Sequence, residues 1–240
     1  MTTRNRGKEG SDDRLFGDIK MQEHLKEAVQ DMCYLLTRGF AEKSALQLVG
    51  NRYRLNARQQ KALHGMSASK QQMERRKQHE LTVDQLRNQS VVIDGFNLLI
   101  ILESALSGAY VFKGLDGCYR DISSVHGTYK RVQKTEEALL LIGNTLNALG
   151  VKHVHWILDK PVSNSGRLKT MLRELAEEKG FPWEITLDNN PDKLIAESVE
   201  VAVSSDAWVL NQVTGWFNLA GGLIEKLVAV SIIDASTSSV

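Results

Sequence analysis

The sequence predicts an α/β fold with a mostly parallel central sheet, preceded by an all-α module. From Ser90 onward, short apolar runs rich in Val and Ile alternate with helical stretches, which indicates crossover connections between parallel strands. Before Ser90, apolar residues recur at spacings of three and four, as on one face of a helix. We therefore expect a three-layer sandwich over residues 89–240, a basic helical domain over 14–88 and an unstructured lead over 1–13.

The helices of the first domain are predicted from their caps and apolar faces. Asp18 precedes the first helix, and Gly39 follows it as a C-terminal cap. Further helices are expected over residues 42–52 and, with an asparagine as N-cap, over 56–65. Residues 67–78 are almost entirely polar, and we interpret them as a linker helix or a solvated arm.

The second domain is predicted from apolar, β-branched runs that end in polar residues. These runs indicate strands over residues 89–94, 153–158, 183–187, 199–205 and 227–233. Helical spacing indicates helices between them, over residues 128–149, 165–179, 192–198 and 212–226. Three of the strands lead into an aspartate that we interpret as functional, at Asp94, Asp159 and Asp206. Asp234, after the last strand, is interpreted as part of a frayed end.

These aspartates predict a cluster of carboxylates. The carboxyl ends of parallel strands meet at one edge of the sheet, and Asp192, at the start of a helix, is expected to lie over the same edge. Two carboxylates 4 Å apart repel by about 4 kcal/mol at an effective dielectric constant near 20. Such a cluster needs protons or oxygen-preferring cations, which makes Mg²⁺ or Mn²⁺ the expected ligand. Taken singly, each aspartate is also explained as a turn residue or a helix cap.

Four short motifs carry a resemblance to a known family. They are Asp94-Gly95-Phe96-Asn97 after the first strand, Asp159 after the second, Asp192 with Ile195, and Ser205-Asp206. With these motifs, residues 91–234 resemble a PIN-like nuclease domain of the PIN/NYN type. The whole chain also resembles a prokaryotic family of unknown function that pairs a small helical domain with such a domain.

The resemblance implies metal-dependent hydrolysis of phosphodiester bonds, usually in RNA. It implies that Asp94, Asp159, Asp192 and Asp206 bind Mg²⁺ or Mn²⁺, and that Asn97 positions a water or a phosphate. Ala207-Trp208 follows Asp206 where active members commonly keep another acid. A non-catalytic nucleic-acid- or nucleotide-binding protein with a degenerate PIN-like domain is therefore the alternative. A small-molecule phosphatase or hydrolase with an enclosed pocket is a third hypothesis.

The charge distribution predicts where RNA would bind. Residues 1–90 carry 17 Lys or Arg against 11 Asp or Glu, whereas residues 91–240 carry 13 against 18. Basic residues that suit phosphate contacts are Arg52, Arg54 and Arg58 at a helix–helix turn, and Arg120, His126, Lys130 and Arg131 among tyrosines in residues 108–134. The alternatives are solvated faces, a contact between the two domains, and aromatic rings that pack on the sheet.

The sequence also bears on location. No apolar run approaches the roughly 20 residues of a membrane helix, and the first thirty residues are polar. The two cysteines cannot form a disulfide framework. We therefore expect a cytoplasmic protein that does not associate with membranes, with homo-oligomer formation left open.

Overall fold

The structure is a computed structural model that describes residues 6–123 and 129–236. In the N-terminal part it contains the helices α1 (Asp12–Phe16), α2 (Ile19–Thr37), α3 (Glu42–Arg52), α4 (Ala57–Met66), α5 (Lys70–His79) and α6 (Val83–Leu86). The predicted helices are confirmed at their caps. Asp18 accepts hydrogen bonds from the first turn of α2, and Asn56 forms a capping box with Gln59 at the start of α4.

The central sheet has four strands in the order β5-β4-β1-β6, and all neighbouring pairs are parallel. The strands are β1 (Ser90–Asp94), β4 (His153–Asp159), β5 (Trp183–Asp188) and β6 (Val201–Val203). Their parallel direction brings all four carboxyl ends to one edge of the sheet. The predicted α/β fold with a mostly parallel sheet is confirmed.

Helices cover both faces of this sheet. They are α7 (Gly95–Leu106), α8 (Thr135–Ala148), α9 (Ser165–Lys179), α10 (Pro191–Ala196), α11 (Ala207–Gln212) and α12 (Leu219–Ile224). Ile93 and Trp156 belong to the larger apolar cluster, with α7, α8 and α9. Val92 and Ile157 belong to the cluster on the other face, with α10 and α11. The alternation of side chains along each strand therefore produces three layers.

A second, smaller sheet corrects two predictions. It has the order β3-β2-β7 and consists of β2 (Tyr110–Lys113), β3 (Tyr119–Arg120) and β7 (Ser231–Asp234). The last predicted strand pairs with β2 and not with the central sheet, so its assignment to that sheet was wrong. Residues 108–134, for which no strand was predicted, contain β2 and β3. The predicted helix over 212–226 is interrupted, because Trp216 lies between α11 and α12 in isolated bridges to Glu80 and Ala202.

The small sheet joins the helical part to the α/β part. Phe112 of β2 and Ile233 of β7 are buried in the same apolar cluster as Leu25 and Leu63 of the helices. The Phe112 ring lies 5.0 Å from the ring of Phe16 in an edge-on arrangement. The two parts therefore share one core.

The polar segment and the expected lead are also packed against the α/β part. Trp216 Nε1 donates a hydrogen bond of 2.7 Å to the carbonyl oxygen of Arg76 in α5, so this segment is not a solvated arm. In the described part of the lead, residues 6–13, Arg6 forms a 2.7 Å ion pair with buried Glu103, and Asp12 pairs with Arg58 at 2.5 Å. None of the helices among the described residues is long and apolar enough to cross a bilayer.

Candidate functional site

The carboxyl edge of the central sheet gathers the four predicted aspartates. Asp94 ends β1, Asp159 ends β4, Asp192 lies in the first turn of α10, and Asp206 is the N-cap of α11. Burial is the main cause of raised pKa values at Asp94 and Asp192, and neighbouring carboxylates add to it. Asp192 and Asp206 act on Asp94, whereas Asp206 and Asp159 act on Asp192. Asp94, Asp192 and Asp206 therefore lie within interaction range, and Asp159 is linked to this group through Asp192.

Asp94 is the buried member of this group, with 6% of its surface exposed. Its Oδ2 accepts a hydrogen bond of 2.8 Å from Ser204 Oγ, and its Oδ1 accepts a long one of 3.4 Å from the backbone N–H of Asn97. Among the described residues, it forms no ion pair with Lys, Arg or His. Burial raises the pKa of Asp94 to about 7, with the nearby carboxylates acting in the same direction.

The glycine after Asp94 allows α7 to start directly against the sheet. A Cβ atom on Gly95 would lie 2.5 Å from Leu158 Cδ2 and 2.9 Å from the carbonyl oxygen of Ile157. Both atoms belong to the neighbouring strand β4, so a side chain here would push the helix away. The Asp-Gly pair that the sequence shows is therefore a packing requirement of this strand-to-helix turn.

The turn that carries Asp206 is tied to β1 through two side chains. Ser204 Oγ, which donates to Asp94, also accepts a hydrogen bond of 2.9 Å from the backbone N–H of Asp206. Asn97 Oδ1 accepts a hydrogen bond of 2.8 Å from the backbone N–H of Ser205. We expected Asn97 to position a water or a phosphate. In the structure its side-chain oxygen holds this turn, and its role towards a water or a phosphate stays a prediction.

Asp206 also starts a helix. Its Oδ1 accepts hydrogen bonds from the backbone N–H groups of Trp208 and Val209, at 2.8 and 3.0 Å. Asp206 is therefore a helix cap, as its alternative interpretation from the sequence holds. A capping carboxylate keeps its second oxygen for other contacts, so the cap leaves room for a ligand role.

A further aspartate at this edge was missed by the sequence analysis. Asp188 ends β5 and lies opposite Asp159 in the strand register. Its Oδ1 accepts a hydrogen bond of 2.8 Å from the backbone N–H of Asn190. The same pattern that predicted Asp94, an apolar strand followed directly by an aspartate, also identifies Asp188. It was missed because the predicted strand ended at residue 187, one residue too early.

The donor chemistry of the edge suits an oxygen-preferring cation, because the acidic groups are aspartates and buried Asp94 has no counter-charge in the part of the chain that the structure describes. Within residues 6–123 and 129–236, no three His, Cys, Asp or Glu side chains are placed to bind one ion together. Mg²⁺ in phosphoryl-transfer sites commonly uses one or two carboxylates and completes its shell with water and substrate phosphates. The residues therefore fit a cation that binds together with a phosphate rather than a preformed cage.

Two of the predicted phosphate-binding arginines are held inside the protein. Arg120 forms a 2.7 Å ion pair with Asp116 and donates to the carbonyl oxygen of Ser205. Arg58 forms ion pairs with Asp12 and Glu9. The tyrosines expected to stack on bases are also engaged, since Tyr119 and Tyr129 are each 2% exposed. Arg58, Arg120, Tyr119 and Tyr129 therefore make contacts within the protein, as the alternative interpretation of the sequence expected.

The other predicted basic residues are more accessible. Arg52 and Arg54 are exposed, with Arg52 in a 3.4 Å ion pair with Asp31. Lys130 and Arg131 line a cavity of about 520 Å³ together with Arg167 at the start of α9. His126 lies outside the described residues.

A smaller cavity of about 180 Å³ lies between the helical part and the acid edge. Lys61 and His64 of α4 line one side, and Asn97, Arg120 and Asp206 line the other. Partial burial lowers the pKa of Lys61, whose Nζ donates to two backbone carbonyls after β3. Neither Lys61 nor His64 was predicted from the sequence; their i,i+3 spacing on α4 was the available signal.

Two family models match the chain. Residues 83–222, more than half of its length, match the model described as Domain of unknown function (DUF5616). The chain belongs to this family. All the aspartates at the sheet edge lie within the DUF5616 segment. Residues 24–79 match a second model, described as Protein of unknown function (DUF434), and this segment falls in the helical part.

One relative matches most of the chain and most of its own length. An uncharacterized protein of Methanocaldococcus jannaschii is 28% identical over 186 residues, which cover 78% of this chain and 88% of the relative. No solved structure matches the chain. The helical and α/β layout agrees with the two family models, and neither description names a PIN-like nuclease or any activity.

Proposed function

We propose that this protein hydrolyses phosphodiester bonds in cytoplasmic RNA, with Mg²⁺ or Mn²⁺ bound by Asp94, Asp159, Asp192 and Asp206. The observation that carries the proposal is the placement of Asp94, a buried carboxylate with other carboxylates nearby and no cation partner among the described residues. Such a group lowers the stability of the fold, and proteins concentrate arrangements of this kind at functional sites. The PIN-like sequence motifs point to the same chemistry.

The chain's own residues prepare the edge for a phosphate. Ser204 fixes the orientation of the Asp94 carboxylate, and Asn97 fixes the turn that carries Asp206. The cavity beside Asp206 brings Lys61 and Arg120 close to the carboxylates. When bound, a divalent cation would activate a water and stabilise the leaving oxygen.

The test is cleavage of a labelled RNA pool in the presence of Mn²⁺. We expect cleavage by the wild type and a loss of about 10²-fold or more in the Asp94→Asn and Asp206→Asn variants, a larger effect than removal of an outer-shell partner. Asp234→Asn is the matched control, because Asp234 also ends a strand and accepts a turn hydrogen bond, but in the small sheet. Equal cleavage by all four proteins would contradict the catalytic assignment.

A second candidate function is non-catalytic binding of nucleic acid or a nucleotide. The observation that favours it is that no three potential ligands in the described ranges are placed around one ion, together with Trp208 at the position where an acid is expected. This candidate predicts RNA binding that weakens with salt and no cleavage under any metal. The same assay therefore separates the two functions.

A further inference from the structure

Arg76 connects the helical part to the turn that carries Asp206. It is 2% exposed, although α5 around it is polar. Its guanidinium forms an ion pair with Asp116. It also donates to Asn211 Oδ1 at 2.9 Å and to the carbonyl oxygen of Ala207 at 3.2 Å. One side chain from the helical part thus contacts both ends of α11.

Arg120 makes the matching contact on the other side of Asp206. It donates to the carbonyl oxygen of Ser205 at 2.8 Å and to that of Gly65 in α4 at 2.8 Å. It pairs with Asp116 at 2.7 Å, the same carboxylate that binds Arg76. The carbonyl groups before and after Asp206 are therefore both held by guanidinium groups that share one counter-ion.

We propose that Arg76 is a positioning residue for the acid site, through which the helical part sets the place of Asp206. The proposal rests on the proposed function in one respect, that Asp206 contributes to metal binding. A guanidinium presents five N–H donors in a fixed plane, so it can hold a carboxylate, an amide and a backbone carbonyl at once. Asp206 lies between the two carbonyls that are held, so its carboxylate is fixed relative to Asp94.

The cavity beside Asp206 agrees with this role. Lys61 and His64 of α4 form its opposite side, so the helical part also borders the space next to the carboxylate. Among the described side chains, the one that donates to the carbonyl oxygen of Ala207 is Arg76, which belongs to the helical part. The helical part is accordingly a component of the site and not an accessory to it.

The experiment compares Arg76→Lys and Arg76→Met with Lys77→Met. Lys77 is the matched control, because it is the next residue on α5 and its side chain is 83% exposed. For each protein, three quantities are measured: the free energy of unfolding in urea, the hydrogen exchange of the Trp208 and Val209 amides, and the affinity for Mn²⁺ by calorimetry. These two amides report on Asp206 because they donate to its carboxylate.

Arg76→Lys is the decisive variant. Lysine keeps a positive charge beside Asp116, so the loss of global stability is smaller than in Arg76→Met. A single ammonium cannot also reach Ala207 and Asn211, so exchange at the two amides rises and Mn²⁺ affinity falls, each by about tenfold. Lys77→Met changes neither. The proposal would be overturned if Arg76→Lys showed the amide exchange and the Mn²⁺ affinity of the wild type. It would also be overturned if exchange at the two amides in Arg76→Met rose only as much as the loss of global stability requires.

Two further arms keep the outcome decisive. If Arg76→Met does not fold, Asn211→Ala replaces it, because this change removes one hydrogen-bond partner of the guanidinium and leaves the ion pair with Asp116 intact. Faster hydrogen exchange at the Trp208 amide in this variant supports the proposal. Unchanged exchange overturns it. If the wild type binds no Mn²⁺, the proposed function fails. The exchange measurements in Arg76→Lys then still decide whether Arg76 holds the turn.

Discussion

Two buried aspartates in this protein have opposite surroundings. Asp116 is 1% exposed at its side chain and lies between Arg76 and Arg120. Burial alone would raise its pKa, but the two arginines outweigh that effect and lower the pKa to about 2. Asp94 is similarly buried, but the charged groups that act on it are the carboxylates of Asp192 and Asp206. Burial, together with these two negative charges, raises its pKa to about 7.

The difference separates a carboxylate with a structural role from one that we propose to be functional. Asp116 joins two arginines and, through them, the helical part to the Asp206 turn. The same arginines donate to the backbone on both sides of Asp206, and Arg120 interacts electrostatically with that carboxylate, whereas no ion pair among the described residues joins either arginine to Asp94. In the proposed function, a bound divalent cation supplies the positive charge that Asp94 lacks among the described residues, and the contrast with Asp116 can be tested as follows.

The largest effect is expected at Asp116. Asp116→Asn leaves Arg76 and Arg120 close together without a counter-ion, and breaking a buried pair of this kind costs about 3–5 kcal/mol. Urea unfolding measures the loss. Glu136→Gln is the control, since it removes an exposed partner of Arg131 and should cost less than about 1 kcal/mol. Similar losses in the two variants would mean that the Asp116 cluster contributes little.

At Asp94 the opposite sign is expected. Because its pKa is raised, the folded protein holds a proton between about pH 4 and 7 that the unfolded chain has released. This contribution to stability is complete at low pH and is lost as the pH rises through about 7. Asp94→Asn cannot ionise, so at pH 8 without metal it should be more stable than the wild type by up to about 4 kcal/mol.

Urea unfolding at pH 5 and pH 8 measures this difference. The gain should shrink at the lower pH, where Asp94 of the wild type is protonated. A variant that is less stable than the wild type at pH 8 would show that Asp94 is compensated after all.

A smaller effect separates the two residues at acid pH. The pKa of Asp116 is lowered, so its contribution is present above about pH 4 and is lost as the pH falls towards 2. The expected loss in the wild type over this interval is about 2 kcal/mol from this residue. Thermal unfolding of both proteins between pH 4 and 2 measures how steeply stability falls with pH. The fall should be shallower in Asp116→Asn, because this variant lacks the contribution of Asp116. An identical slope in both proteins would assign the acid lability to other groups.

The sequence predicted those parts of the fold that local patterns determine. Helix caps at Asp18 and Asn56 and the strand that ends at Asp94 depend on a few neighbouring residues, and each was read correctly. The parallel direction of the strands followed from their alternation with helices. The edge of the sheet that collects the acids was therefore predictable.

The long-range pairings were not predictable from such patterns. The small sheet joins β2 to β7, which are more than a hundred residues apart. The uniformly apolar helix α7 resembles a buried strand as much as a helix, because apolar residues lie on all its faces. Arg120 was predicted to bind phosphate, because its pairing with Asp116 and its contact with Ser205 depend on long-range packing that the sequence pattern does not show.

The central claim is that Asp94 lies at a site whose missing charge is supplied by a divalent cation. Its most direct test is the free energy of unfolding at pH 8 with and without Mn²⁺, for the wild type and Asp94→Asn. At a hundredfold excess over the dissociation constant, bound metal stabilises the folded state by about 2.7 kcal/mol. We predict this gain in the wild type and its absence in Asp94→Asn. Equal responses of the two proteins to Mn²⁺, or no response in the wild type, would contradict the claim.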